Sequence, residues 1–171
     1  AKFWLIAVNI FIVPFLATAI FLYQYTIAEI RGWDREWVTF SFAFFAVANA
    51  IALIISGDLT DRYTGKKLFP LYLLPALAGL ILSAIFPSKW TFPLLFAMLG
   101  ISTGLGSTIK TAMQTEVYGR EKLGKIRSYF STILIFSTAL GPPVFGLFID
   151  NDYSFALIMG FFAVVLALII L

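Results

Sequence analysis

The stretch Ser56-Gly57-Asp58-Leu59-Thr60-Asp61-Arg62-Tyr63-Thr64-Gly65-Lys66-Lys67 decides how the rest of the chain folds. Five charged side chains fall within the eleven positions 57–67, whereas long apolar runs lie on both sides. A segment with this many charges must lie in water, while apolar runs of about 20 residues are typical of membrane-spanning helices. The stretch is therefore predicted to be a short turn at one face of a membrane, between two spanning helices.

The composition of the chain indicates a polytopic membrane protein. Of its 171 residues, 61% are hydrophobic and 12% are charged, whereas soluble domains carry about 25% charged residues. The chain contains no cysteine and no histidine, which excludes disulfides, thiolate and imidazole catalysis, and most zinc, haem and iron–sulfur sites. We therefore expect no cofactor, no metal site and no enzymatic activity.

Six apolar runs are long enough to span a bilayer. They cover residues 3–23, 38–56, 69–87, 92–113, 128–149 and 154–171. The expected fold class is all-α, with residues 1–171 forming one six-helix transmembrane bundle. Because the chain starts without Met and stops inside an apolar run, we expect it to be part of a longer chain.

The distribution of Lys and Arg predicts the orientation of the bundle, since basic residues accumulate on the cytoplasmic side. One side receives only Arg31, Arg35 and Lys89. The other side receives eight basic residues: Lys2, Arg62, Lys66, Lys67, Arg120, Lys122, Lys125 and Arg127. Both ends of the segment are therefore predicted to lie in the cytoplasm, in an integral multi-pass protein of the plasma (inner) membrane.

A short pattern occurs twice along the chain. Gly57-x-Leu59-x-Asp61 ends the second predicted helix, and Gly146-x-Phe148-x-Asp150 ends the fifth. Each repeat would contain three helices, and an odd number forces the two repeats to be inserted in opposite directions. The pattern therefore predicts a 3+3 inverted repeat.

The charged turn also carries a family resemblance. Gly57-x-x-x-Asp61-Arg62 followed by Gly65-Lys66-Lys67 resembles the loop signature of the major facilitator superfamily, which joins the second and third helices of a six-helix half. The resemblance implies a conformational loop motif made of Gly57, Asp61, Arg62, Gly65, Lys66 and Lys67. Thr64 stands where the signature has a glycine, which weakens a role as a gating latch, and a generic turn with cytoplasmic basic residues is the alternative.

Further stretches at 61–62, 71–75, 116–128 and 139–150 are similar to the oxalate/formate antiporter-like and monocarboxylate transporter-like branches of this superfamily. The resemblance identifies the chain as the C-terminal six-helix half of a twelve-helix transporter. It implies secondary active transport of a small organic solute, a mono- or dicarboxylate anion, by alternating access. The implied partners are the lipid bilayer, the other six-helix half and the small organic anion, with no nucleic acid. The alternative is a six-helix protein acting as a homodimeric pore or a scaffold without transport.

Lys110 is the charged residue inside a predicted span, where a lysine at the helix centre costs about 2.5–3.5 kcal/mol. It either binds a carboxylate substrate or extends its ammonium group to the cytoplasmic interface. Its helix face favours the first interpretation, because polar and small side chains spaced three and four residues apart form one stripe. The stripe consists of Gly100, Thr103, Ser107, Lys110 and Gln114. Close helix packing would explain its glycine but not its lysine.

Other polar residues within the predicted spans are candidates for a substrate cavity. The first helix of each half lines the cavity in transporters of this kind, and a polar side chain in a span indicates a cavity or a partner. The substrate-binding candidates are Lys110, Ser107, Thr103, Asn9, Thr18, Gln24 and Asn49.

Prolines within two of the predicted helices indicate helix hinges. Pro14 removes an internal hydrogen bond from the first helix, and Gly141-Pro142-Pro143 has the same effect in the fifth. We expect these helices to bend or unwind at Pro14, Gly141 and Pro142.

Overall fold

The computed structural model describes residues 2–86, 88–119 and 121–170, apart from the side chain of Lys2, and every regular element in them is helical. The helices are α1 (Lys2–Arg31), α2 (Arg35–Arg62), α3 (Gly65–Leu68), α4 (Leu74–Ile85), α5 (Thr91–Tyr118), α6 (Leu123–Asp150) and α7 (Phe155–Ile170). A 3₁₀ turn, Leu71–Leu73, joins α3 to α4, and together they form the third span, Gly65–Ile85. Within these residues, five segments are long and apolar enough to cross a membrane, and α7 is a shorter apolar helix of 16 residues. The predicted all-α fold with six membrane helices is confirmed.

The helices extend beyond the predicted apolar segments. Helix α1 continues to Arg31 instead of ending near residue 23, and α2 runs over Arg35–Arg62 instead of 38–56. The prediction counted apolar side chains, whereas backbone hydrogen bonding continues through polar residues until a residue stops the helix. Gly32 stops α1 at φ +65°, and the Trp33 amide then donates to the Ala28 carbonyl at 2.8 Å.

The third span, predicted as an apolar run over 69–87, is interrupted by a turn. Pro70 and Pro75 lack the amide hydrogen that a continuous helix needs, and the chain forms the 3₁₀ turn between them. The amide of Ala76, in the first turn of α4, donates to the hydroxyl of Ser102 on α5 at 2.9 Å. A neighbouring helix therefore stabilises the interruption. Pro87, at the end of the predicted segment, lies outside the described residues.

The two triplets of helices interleave within one bundle. The most extensive contacts join α2 to α5 and α1 to α6, and α4 also packs on α7. Each of these pairs takes one helix from the first triplet (α1, α2 and the third span) and one from the second (α5, α6 and α7). Exchanging the triplets turns the α2–α5 pair into the α6–α1 pair. This pattern is the one expected of an inverted repeat around a pseudo-two-fold axis.

Small residues bring α2 and α5 into backbone contact. A Cβ atom added at Gly104 would lie 2.5 Å from the carbonyl oxygen of Asn49 and 2.9 Å from the Ala52 Cβ. Gly100 lies in the same way against the carbonyl of Phe45. In a lipid solvent, close van der Waals packing of this kind is a main source of helix association.

Helices α1 and α6 make the corresponding contact in the other half of the bundle. Gly141 lies against the carbonyl of Phe15, and the Ser137 hydroxyl donates to the carbonyl of Phe11. Helix α6 continues without interruption through Pro142, so the unwinding considered for this segment does not occur. Gly141 serves as a packing residue in this structure.

The ends of the bundle differ in charge and in how they are closed. The basic end carries the turn at 63–64 and the start of α6, where the Glu116 carboxylate accepts hydrogen bonds from the amides of Gly65 at 2.6 Å and Lys66 at 3.1 Å. The far end carries the connections at 32–34, 86–90 and 151–154. There the Arg31 guanidinium lies between two rings, 5.7 Å from Trp33 and 5.1 Å from Phe155.

Candidate functional site

A groove of about 400 Å³ lies between α1, α5 and α6. Ile10 and Pro14 form its wall on α1, and Phe130 and Leu134 contribute apolar surface from α6. Polar side chains line the rest of the groove: Thr103, Ser107, Lys110, Thr111, Gln114, Arg127 and Ser131. The groove therefore combines an apolar wall with cationic, amide and hydroxyl groups, as solute sites do.

The predicted stripe on α5 is divided between two surfaces. Thr103, Ser107, Lys110 and Gln114 line the groove, as a common helix face requires. Gly100 lies instead in the contact with α2. The glycine thus belongs to helix packing and the four polar residues belong to the groove.

The hydroxyls of the stripe already bond to their own helix. Thr103 Oγ1 donates to the Leu99 carbonyl at 2.8 Å, and Ser107 Oγ donates to the Gly104 carbonyl at 2.7 Å. With their hydrogens used in this way, the oxygens remain free to accept a hydrogen bond from a ligand. Donors in the groove come from Lys110, Arg127, the Gln114 amide and the Ser131 hydroxyl.

Lys110 has no acidic neighbour among the described residues. No carboxylate oxygen of the described residues lies within 4.0 Å of its ammonium nitrogen, and the ion pair found among those residues joins Arg35 to Glu29 at the far end. The ammonium nitrogen lies 5.4 Å from the centroid of the Tyr72 ring. Lys110 therefore presents its positive charge to the groove without a compensating negative charge.

Arg127 is a second cation in the groove and was missed as a site residue, because the sequence indicated only its contribution to orientation. It lies four residues after the first residue of α6, whereas Lys110 lies eight residues before the last residue of α5. At 1.5 Å per residue, Arg127 is about 6 Å from the basic end and Lys110 about 12 Å. Its spacing of four from Ser131, which also lines the groove, is the sequence signal from which a shared helix face could have been predicted.

The candidates on α1 and α2 are not among the residues that line the groove. Asn9 and Gln24 are buried, with side-chain oxygens that find no hydrogen-bond donor among the described residues. Thr18 donates to the Pro14 carbonyl at 2.8 Å, and Asn49 packs against α5. Of the predicted α1 residues, the structure places Pro14 in the groove.

The residues of the loop motif gather at the basic end, where their surroundings differ. A Cβ atom at Gly65 would lie 2.5 Å from the amide nitrogen of Met113, whereas one at Gly57 would meet no atom within 4 Å. Thr64, at φ −71°, has a conformation that needs no glycine, whereas position 65 leaves no room for a Cβ atom. Four charged members are exposed, without an ion pair in the described part of the chain: Asp61, Arg62, Lys66 and Lys67.

A second groove, of about 450 Å³, lies between α1, α6 and α7. Trp4, Phe11, Phe136 and Ile169 are among its lining residues, and its surface is apolar. It offers no group that would select a polar solute. The groove that contains Lys110 is therefore the candidate site.

Comparison with known proteins gives one family and two curated relatives. The family model described as Major Facilitator Superfamily matches residues 5–171. Multidrug resistance protein 3 of Bacillus subtilis (strain 168) is 28% identical over 126 residues, which cover 73% of this chain and 24% of the relative. The D-xylose transporter of Levilactobacillus brevis is 27% identical over 150 residues, which cover 84% of this chain and 31% of the relative. The chain thus spans less than a third of the length of these relatives.

Proposed function

The chain belongs to the Major Facilitator Superfamily, and from this premise we propose that it is one six-helix half of a secondary transporter for a small organic anion. The anion is a mono- or dicarboxylate, and it moves by alternating access of a site between two halves. The protein is an integral multi-pass membrane protein. We further propose that it lies in the plasma (inner) membrane, with both ends of this segment in the cytoplasm.

The uncompensated charge of Lys110 is the observation that supports an anionic substrate. A lysine inside a span is costly unless a partner or water stabilises it, and no described carboxylate pairs with Lys110. An anionic substrate would supply the missing partner through charge-assisted hydrogen bonds. Arg127, nearer the basic end of the same groove, would attract the anion from the aqueous side.

The exposed apolar faces of α2 and α6 are consistent with a second six-helix half that packs against them. Phe40 and Ile54 on α2 are 55% and 74% exposed, and Ile135 and Phe136 on α6 are 65% and 61% exposed. Lipid can cover such faces, but it cannot cover the polar groove between α1, α5 and α6. A sister bundle packed on this side would enclose the groove and complete the site.

The proline-containing turns of α1 and α6 are proposed as hinges for this motion. Gly141 lies against the carbonyl of Phe15, so Pro14 and Pro142 occupy neighbouring turns of the two helices. Each proline removes one backbone hydrogen bond. Both helices are therefore weakened at the same depth, where bending would change the width of the groove.

A neutral sugar is the second candidate substrate. The relative from Levilactobacillus brevis is a D-xylose transporter, and most polar groups in the groove are hydroxyls or amides, which suit sugar hydroxyls. In that case Lys110 would act as a hydrogen-bond donor and its charge would not be needed.

Uptake by variants at position 110 distinguishes these two substrates. We expect Lys110→Gln to raise the KM for labelled oxalate or lactate about 10- to 100-fold in vesicles that contain the complete transporter, because it removes a charge-assisted interaction. Lys110→Arg should retain most of the affinity. Lys125→Gln, which removes a lysine outside the groove, is the matched control and should leave KM unchanged.

Carboxylate uptake with a KM that Lys110→Gln leaves unchanged would remove Lys110 from the site. Saturable uptake of labelled xylose, with no uptake of either carboxylate, by the unaltered transporter would contradict the anion assignment and support the sugar.

A further inference from the structure

Tyr72 lies next to Lys110, in the turn that interrupts the third span. Its side chain is fully buried, at 0% exposure, and it belongs to the 3₁₀ turn Leu71–Leu73 between α3 and α4. A continuous helix would have given this residue a different direction. The interruption thus directs an aromatic ring towards α5.

The Tyr72 ring supports the side chain of Lys110. The ammonium nitrogen of Lys110 lies 5.4 Å from the ring centroid, within the range in which a cation is attracted to the face of an aromatic ring. Gly106 leaves room for both side chains, since a Cβ atom there would lie 2.8 Å from Tyr72 Cδ2 and 2.9 Å from Lys110 Cε. The ring, the glycine and the lysine stem therefore form one packed unit.

A hydrogen bond fixes the orientation of the ring. The Tyr72 hydroxyl donates to the backbone carbonyl of Asn9 on α1 at 2.8 Å, and Asn9 precedes Ile10, which lines the groove. The ring is thus held between the turn of the third span and α1. The turn and α1, which hold the ring, are both separate from α5, the helix that carries Lys110.

We propose that Tyr72 is a positioning residue for anion binding, which holds the Lys110 ammonium group at the groove wall through the face of its ring. The proposal rests on the proposed function, in which Lys110 binds the anion. Without the ring face, the lysine side chain would sample other rotamers, and the anion would have to order it at a cost in affinity. Tyr72 therefore acts on substrate affinity through Lys110 and touches no substrate itself.

Fluorination of the ring tests this role without changing its shape. Tyr72→Phe and its mono-, di- and trifluorinated analogues progressively weaken the negative potential of the ring face while nearly preserving its volume. We expect the KM for labelled oxalate or lactate to rise at each step, reaching about 3- to 30-fold for the trifluorinated ring, with little change in maximal rate. Tyr72→Phe itself removes only the hydrogen bond to Asn9 and is the reference for the series.

A neighbouring ring provides the matched control. Phe69 contacts Tyr72, with ring centroids 5.7 Å apart, and is not among the rings that face Lys110. Trifluorination of Phe69 should leave KM unchanged, and thermal unfolding should show equal stability across both series.

The outcomes separate this inference from the function on which it rests. A KM that does not change along the Tyr72 series, while Lys110→Gln still raises KM, would overturn the positioning role and leave the anion site in place. A KM that neither the series nor Lys110→Gln changes would remove Lys110 from the site, and the role of Tyr72 would fall with it. A stepwise rise in KM along the Tyr72 series but not on fluorination of Phe69, together with a rise caused by Lys110→Gln, would support the proposal.

Discussion

Helices α1 and α6 are both followed by a residue with a positive φ angle. Gly32, at φ +65°, ends α1, and Asp152, at φ +57°, follows α6. In both places the chain closes the helix with the same two hydrogen bonds, from Gly32 and Trp33 after α1 and from Asp152 and Tyr153 after α6. Glycine adopts the left-handed conformation without strain, whereas aspartate does so at a cost.

Replacing Asp152 by glycine should therefore stabilise the protein. We expect Asp152→Gly to raise the free energy of unfolding by about 0.5–1 kcal/mol, because it removes the strain of the positive φ angle. Thermal unfolding in detergent measures the change. Asp152→Ala removes the same charge but keeps a Cβ atom, so it is the matched control and should be less stable than Asp152→Gly. Equal stability of the two variants would show that the conformation at this position carries no strain.

At the scale of helices, contacts between backbones decide which glycines matter. Gly104 lies in the interior of the α2–α5 contact, whereas Gly57 lies near the end of α2 with no atom within 4 Å of its Cβ position. Both residues are helical, so they share the same helix propensity. Any difference in the effect of alanine at these two positions must therefore come from their surroundings.

Alanine at these two positions should have opposite effects. Gly104→Ala would bring a Cβ atom to 2.5 Å from the Asn49 carbonyl, so the helices must separate, at a cost of about 1–3 kcal/mol in the free energy of unfolding. Gly57→Ala meets no atom and should leave stability unchanged or raise it by up to about 1 kcal/mol. Unfolding of the chain in detergent compares the two variants. If Gly104→Ala were as stable as the original protein, the close contact of α2 with α5 would be contradicted.

At the scale of the whole molecule, the two triplets of helices contact each other at both ends of the bundle. The Glu116 carboxylate binds the start of α3 at the basic end, and Arg31 packs between Trp33 and Phe155 at the far end. Each of these interactions joins the first triplet to the second. A change in groove width at one end must therefore rearrange contacts between the triplets.

The proposed orientation can be measured with single cysteines introduced into these 171 residues, because they contain none. Lys67 at the basic end and Asn151 at the far end are both exposed, so single cysteines there should react with a maleimide wherever the reagent has access. With a reagent that cannot cross membranes, we expect Asn151→Cys to be labelled in intact cells and Lys67→Cys only after permeabilisation. The reverse pattern would place the basic end outside.

The superfamily predicted from the turn at 57–67 is confirmed, since the family match covers residues 5–171. The third predicted span is interrupted in the structure, because Pro70 and Pro75 permit a turn that Ser102 on α5 then stabilises. Apolar length alone contains no information about a hydrogen bond from another helix. The carboxylate branch and the roles of the site residues stay predictions.

The sequence by itself determined the membrane class, the six helices and the face of α5 that carries Lys110. These features follow from apolar length, charge placement and helical period, which are properties of neighbouring residues. Only the tertiary structure decided that Gly100 packs on α2, that Arg127 shares the groove with Lys110 and that Tyr72 lies beneath the lysine. The reason is physical, since these arrangements depend on contacts between helices that are distant along the chain, and local periodicity does not specify which helix faces meet.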